Sequence, residues 1–163
     1  MNKTLVASLS FILFLVQSSI LPFFFNGISQ PDIWLVSIII AALIFKLPFV
    51  LSLTVIGGLV QDLVISNFFG MHFFPYLIIA YGAAKYGKER YNRHWYVSVA
   101  AVIAGSIIYL LLTMIILVLG NIKIESPIYL LQTGLPFVAY NAAASLFLHR
   151  ILWGLNFERE PRW

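Results

Sequence analysis

The sequence has no cysteine, which excludes disulfides, thiolate nucleophiles and thiolate metal sites. Charge is also scarce: 10% of the 163 residues are Asp, Glu, Lys or Arg, against 61% hydrophobic. A soluble domain carries about a quarter charged residues, because most of its surface meets water. Mean hydropathy is +0.95, so water is not this chain's main solvent. The composition defines an integral membrane protein, and the length leaves no room for a separate soluble domain. Residues 1–163 are read as a single transmembrane domain. The net charge of +4 invites an anionic partner, but the chain lacks the basic, aromatic-rich module of a dedicated nucleic-acid binder. Membrane lipid is an expected partner; nucleic acid is not.

What the sequence does have is long apolar runs, which predict an all-α fold. Six runs place helices at about 4–25, 31–46, 49–66, 71–84, 95–119 and 127–149. The first follows Lys3 and resembles a signal peptide, but no A-x-A-like site ends it. It is expected to stay as a helix that closes around Pro22. Lys46-Leu47-Pro48 separates the second run from the third, since proline lacks an amide hydrogen and disfavours helix before it. The apolar part of the second run, 33–45, is short: roughly 20 Å of helix against a hydrocarbon core of about 30 Å. Pro31 at the first helical position, with Gln30 or Ser29 as cap, would lengthen it. A re-entrant hairpin of the second and third runs is the rival reading, but it would leave Lys46 at membrane depth.

An even number of crossings puts both termini on one side. Basic residues choose that side, because cytoplasmic loops retain them. With the N-terminus inside, the inner segments hold Lys3, Lys46, Lys85, Lys88, Arg90, Arg93, Arg150, Arg159 and Arg162; the outer ones hold only Lys123. The expectation is therefore a compact bundle of six transmembrane helices with both ends cytoplasmic. Small residues at close spacing (Gly57 and Gly58, Ala80 and Ala84, Ala101 and Gly105, Ala139 and Ala143) let helices approach within that bundle.

Signatures of catalysis are absent: no H-E-x-x-H, G-x-S-x-G or P-loop occurs, and His72, His94 and His149 stand apart at loop edges. No catalytic residue, metal ligand or cofactor is expected. The exception to an otherwise apolar third run, "IGGLVQDLVISNFFG", is Asp62. It lies roughly 6 Å below the end of its helix, at a depth shared by Gln17, Ser18, Gln61, Gln132 and Thr133. Asn141, fourteen residues past Pro127, falls on the cytoplasmic half and is left out of this polar layer. Gly58, Asp62 and Ser66 recur every four residues and form one small, polar stripe, which should turn Asp62 inward toward Gln17 and Gln132. Two readings stay open: a hydrogen-bonded packing network in which Asp62 accepts from side chains or a helix end, or a small-molecule or ion pocket. Lys85, Lys88, Arg90 and Arg93 form a cytoplasmic basic patch, which fixes topology and can meet anionic lipid or a cytoplasmic protein.

The order of features resembles the rod-shape-determining protein MreD family. The residues that carry the likeness are Pro31-Asp32, the Leu47-Pro48 turn, and Gly58 three residues ahead of Gln61-Asp62. A short "ISNFFG" link to Gly70, then "LIIAYGAAKYG" and a basic segment, complete it. The resemblance implies a non-enzymatic subunit of the cell-elongation complex in the bacterial inner membrane. Its partners would be MreC, MreB and the RodA/transpeptidase synthase pair, with a role in lateral peptidoglycan synthesis. Pro31, Asp32, Gly58, Asp62 and Gly70 would then serve structure or partner contact. The family is also similar to the six-helix substrate-binding subunits of energy-coupling-factor transporters, which makes a vitamin-binding subunit the alternative. Such subunits often dock their partner through A-x-x-x-A in the first helix, where this chain has "LVASLSFILF".

Overall fold

The computed structural model describes residues 9, 11–25, 29–66, 69–87, 94–121 and 127–157, with the side chains of 87, 127–130 and 153–157 excepted. Six helices and no strand occur among them: α1 (Phe11–Phe25), α2 (Ile33–Ile44), α3 (Leu47–Val64), α4 (Phe73–Gly82), α5 (Trp95–Leu119) and α6 (Pro127–Phe157). Three helical stretches are long and apolar enough to cross a membrane: Leu47–Val64, Trp95–Leu119 and Leu131–Leu152.

Helix α2 is the hub. Its residues Trp34 to Leu43 are all buried, and it packs against α3, α4, α5 and α6. A helix buried on every side reads as an unbroken apolar run rather than as a stripe. That explains why "IWLVSIIIAALI" shows almost no polar face. The outer helices turn apolar side chains such as Leu63, Ile107, Leu111, Leu135 and Phe147 outward, as lipid-facing surfaces do.

Close approach to the hub depends on missing side chains. Trp34 lies directly over Gly57, where an added Cβ would fall 1.7 Å from the indole nitrogen. Gly58 lies against the Phe73 backbone, 2.9 Å from such a Cβ, which brings the start of α4 onto α3. Ala139 and Ala143 differ from expectation: both face outward rather than packing within the bundle.

Three boundaries also differ. Helix α1 does not close at Pro22 but continues to Phe25. Pro22 has no N–H for the Ser18 carbonyl, and the turn Val16–Ile20 takes up the mismatch as a π-helix, with Leu21 N–H bonding back to Val16. Helix α2 starts at Ile33, capped by Asp32 rather than by Gln30 or Ser29, and Pro31 lies buried ahead of it. Helix α6 runs on to Phe157 and carries Pro136 inside it. Between α3 and α4 the chain turns through Gly70, whose φ of +100° is accessible to glycine and strained for other residues. The helical path of α4 continues as a π-turn, Ala83–Gly87.

Candidate functional site

Two buried carboxylates organise the bundle. Asp62, on the last turns of α3, receives four donors. Gly70 N–H (2.8 Å) and Phe73 N–H (3.2 Å) meet Oδ2, while His72 N–H (2.8 Å) meets Oδ1. His72 Nδ1 lies 3.1 Å from Oδ1 and completes the set. The left-handed turn at Gly70 lets these amides converge, and they belong to the N-terminus of α4, where a helix presents unpaired N–H groups and a partial positive charge. Asp62 is therefore a helix cap supplied from another helix. It faces inward, but toward α4: its hydrogen bonds go to Gly70, His72 and Phe73 and not to Gln17 or Gln132.

Asp32 caps its own helix. Its Oδ1 accepts from Leu35 N–H (3.0 Å) and its Oδ2 from the Tyr76 hydroxyl (2.5 Å). Asp32 N–H donates to Asn141 Oδ1 (2.7 Å), and Asn141 Nδ2 donates to Ser106 Oγ (3.0 Å). Gln17 closes the other flank, its Oε1 accepting from Ile33 N–H at 2.8 Å. Helices α1, α4 and α6 thus bond the start of α2 directly, and α5 supports it through Asn141. The Tyr76 oxygen also lies 2.9 Å from Gln61 Oε1. One hydroxyl proton cannot serve both acceptors. With that proton on Asp32, a Gln61 amide turned by 180° donates to the Tyr76 oxygen, which gives the buried, unpartnered Gln61 Nε2 a role.

The depth of this network corrects the sequence reading. Asn141 is not left aside on the cytoplasmic half; it is a central, fully buried member. Asp32 is level with Ser106 and Asn141, near the middles of α5 and α6, because α2 is short and starts far down the bundle. The rings of His72 and Tyr109 are 6.2 Å apart, and Tyr109 lies ten residues before Leu119, or roughly 15 Å down α5. Gln132 is exposed and takes no place beside Asp62. Nothing in the sequence marked Asn141 as special: one polar residue in an apolar run looks the same whether it meets a helix start or another helix face.

Above Asp32 opens a cavity of about 310 Å³, lined by residues of α1, α5 and α6, the 29–32 segment and His72 just ahead of α4. Its polar lining is Gln17, Ser29, Gln30, Asp32, His72 and Thr133; Tyr109 and Phe137, whose rings stack at 5.6 Å, form an aromatic wall. At the far end of the bundle, Ser98 Oγ and His149 Nδ1 are 2.8 Å apart and tie α5 to α6. Of the basic patch, Lys85 is exposed, with its ammonium 5.4 Å from the Tyr86 ring centre; Lys88, Arg90 and Arg93 lie outside the described residues. Among the described residues, no group of three or more His, Asp or Glu is placed to hold a metal ion.

These features define a class: a helical membrane protein whose central helix, buried from Trp34 to Leu43, is held at its start by hydrogen bonds from three neighbouring helices. The chain belongs to the rod shape-determining protein MreD family, whose model matches residues 1–156. No curated protein and no solved structure gives a significant match.

Proposed function

We propose that this protein is a non-enzymatic membrane subunit of the bacterial cell-elongation complex. In that role it supports MreC, MreB and the RodA/transpeptidase pair in lateral wall synthesis. Membership of the MreD family over residues 1–156 carries the reading. A polar network that ends in helix caps rather than at a reactive group agrees with a scaffold. The same reading makes residues 1–163 one transmembrane domain of six crossings in the inner membrane, with both ends cytoplasmic. Like α4 with its 10 residues, helix α2 is too short to cross by itself, at roughly 18 Å for its 12 residues. The bundle around it supplies the remaining thickness, because irregular backbone is tolerated at membrane depth when protein buries it.

Depletion of the protein should round rod-shaped cells, and MreC or the elongation synthases should copurify with it. Retained rods after full depletion would overturn the reading. Reporters fused after Arg93 and Trp163 should read cytoplasmic and one near Lys123 external; a periplasmic signal after Arg93 would overturn the topology. The cavity above Asp32 favours a second reading, a substrate-binding subunit of an energy-coupling-factor transporter. That reading requires copurifying ATPases and tight binding of a vitamin by the isolated protein.

A further inference from the structure

The cavity above Asp32 brings together a buried carboxylate, an unpartnered amide oxygen and an aromatic wall. Asp62 is saturated by four donors, whereas Asp32 accepts from Leu35 N–H and the Tyr76 hydroxyl with Trp34 N–H also close by, and a carboxylate has about four lone-pair sites. Gln30 lines the same cavity, and its Oε1 is buried with no partner. Such an acceptor is costly unless something donates to it. The Ser29 hydroxyl is committed to the Thr133 carbonyl at 3.0 Å. The wall opposite is aromatic, and the faces of Tyr109 and Phe137 carry the negative side of a ring quadrupole.

We propose that this cavity binds a primary ammonium group, which donates to Asp32 and Gln30 and packs against Tyr109. An ammonium carries three donors and no acceptor, which suits the Asp32 carboxylate and the unpartnered Gln30 Oε1. Its charge offsets the carboxylate of Asp32, a group that is 4% exposed and has no cationic partner among the described residues. An anion is disfavoured by the same carboxylate. At about 310 Å³ the cavity suits a small amine or the ammonium end of a lipid headgroup rather than a protein domain. This inference concerns the cavity alone and holds in whichever assembly the protein works.

The test is thermal unfolding of the purified full-length protein in detergent, titrated with ethanolamine, putrescine, ethylene glycol or acetate. The two amines should raise the midpoint in a saturable way, while the neutral and anionic probes should not. Asp32→Asn should weaken amine binding about tenfold or more, as loss of a charge-assisted contact does. Gln30→Lys, which tethers an ammonium to the cavity wall, should raise the midpoint without ligand and abolish the response to amines. That variant keeps the proposal testable even where Asp32→Asn unfolds. For the lipid source, native mass spectrometry would compare protein from vesicles of phosphatidylethanolamine with protein from phosphatidylglycerol. Retained phosphatidylethanolamine, lost in Gln30→Lys, would make a headgroup the occupant and support the ammonium chemistry. Equal response to ethylene glycol, or no response to either amine together with no retained phosphatidylethanolamine, would overturn it.

Discussion

Asp62 and Asp32 are both buried carboxylates in an apolar bundle, and both cap a helix start, yet their surroundings differ in kind. Asp62 caps α4 from a neighbouring helix, and two donors converge on each of its oxygens. Asp32 caps α2 from within, is held by Leu35 N–H and the Tyr76 hydroxyl with Trp34 N–H close by, and borders a cavity. The first is closed by its fold; the second keeps capacity for something outside the chain. A carboxylate inside a membrane protein is therefore not one signal. What separates a structural acid from a ligand-facing one is the number of donors already present.

The comparison gives sharp expectations for amide and apolar substitutions. Asp62→Leu has the largest effect, since it strands three backbone N–H groups and the His72 ring. We expect a loss of about 3–5 kcal/mol and a protein that hardly accumulates, read by membrane protein level and unfolding in detergent. Asp62→Asn comes next. On the Oδ2 side the new NH2 meets the Gly70 and Phe73 N–H groups; on the Oδ1 side it still meets His72 N–H, and the His72 ring can accept only by moving its proton to Nε2. The cost should be about 1–3 kcal/mol in the unfolding assay, and parental stability would break the cap assignment. Gly70→Ala should cost about 1–2 kcal/mol in the same assay, because φ of +100° strains any Cβ and the Phe74 ring stands 2.8 Å from one. Asp32→Asn has the smallest effect on folding. Its oxygen still accepts from Leu35, its NH2 can donate to the Tyr76 oxygen, and the Tyr76 proton then goes to Gln61. Stability within about 1 kcal/mol of the parent is expected, and a larger loss would mean that the charge itself holds α2 in place.

The sequence made some of this legible. The Lys46-Leu47-Pro48 break and the apolar run over 95–119 marked helix ends to within a residue or two, because prolines and apolar lengths act locally. The stripe Gly58, Asp62, Ser66 followed from helical spacing, and the first two are buried. Partners across the bundle were not legible. Asp62 was placed beside Gln17 and Gln132 on estimated depth, but depth assumed that every helix spans the full bilayer. Helix α2 does not, so Asp32 starts near mid-bundle and meets Asn141, which equal-length helices would have kept apart. Gln132 is exposed because α6 turns that face outward, a rotation that an apolar run does not specify.

The division of labour between the two acids is tested most directly by expressing Asp32→Asn and Asp62→Asn in cells depleted of their own copy. Protein level and cell shape would be scored together. The account predicts that Asp32→Asn accumulates to the parental level while cells still round up, because only the charge at the cavity is gone. For Asp62→Asn, rounding should track the lowered protein level, and raised expression should restore rods. Rods supported by Asp32→Asn at the parental level, or rounding by Asp62→Asn at the parental level, would contradict it.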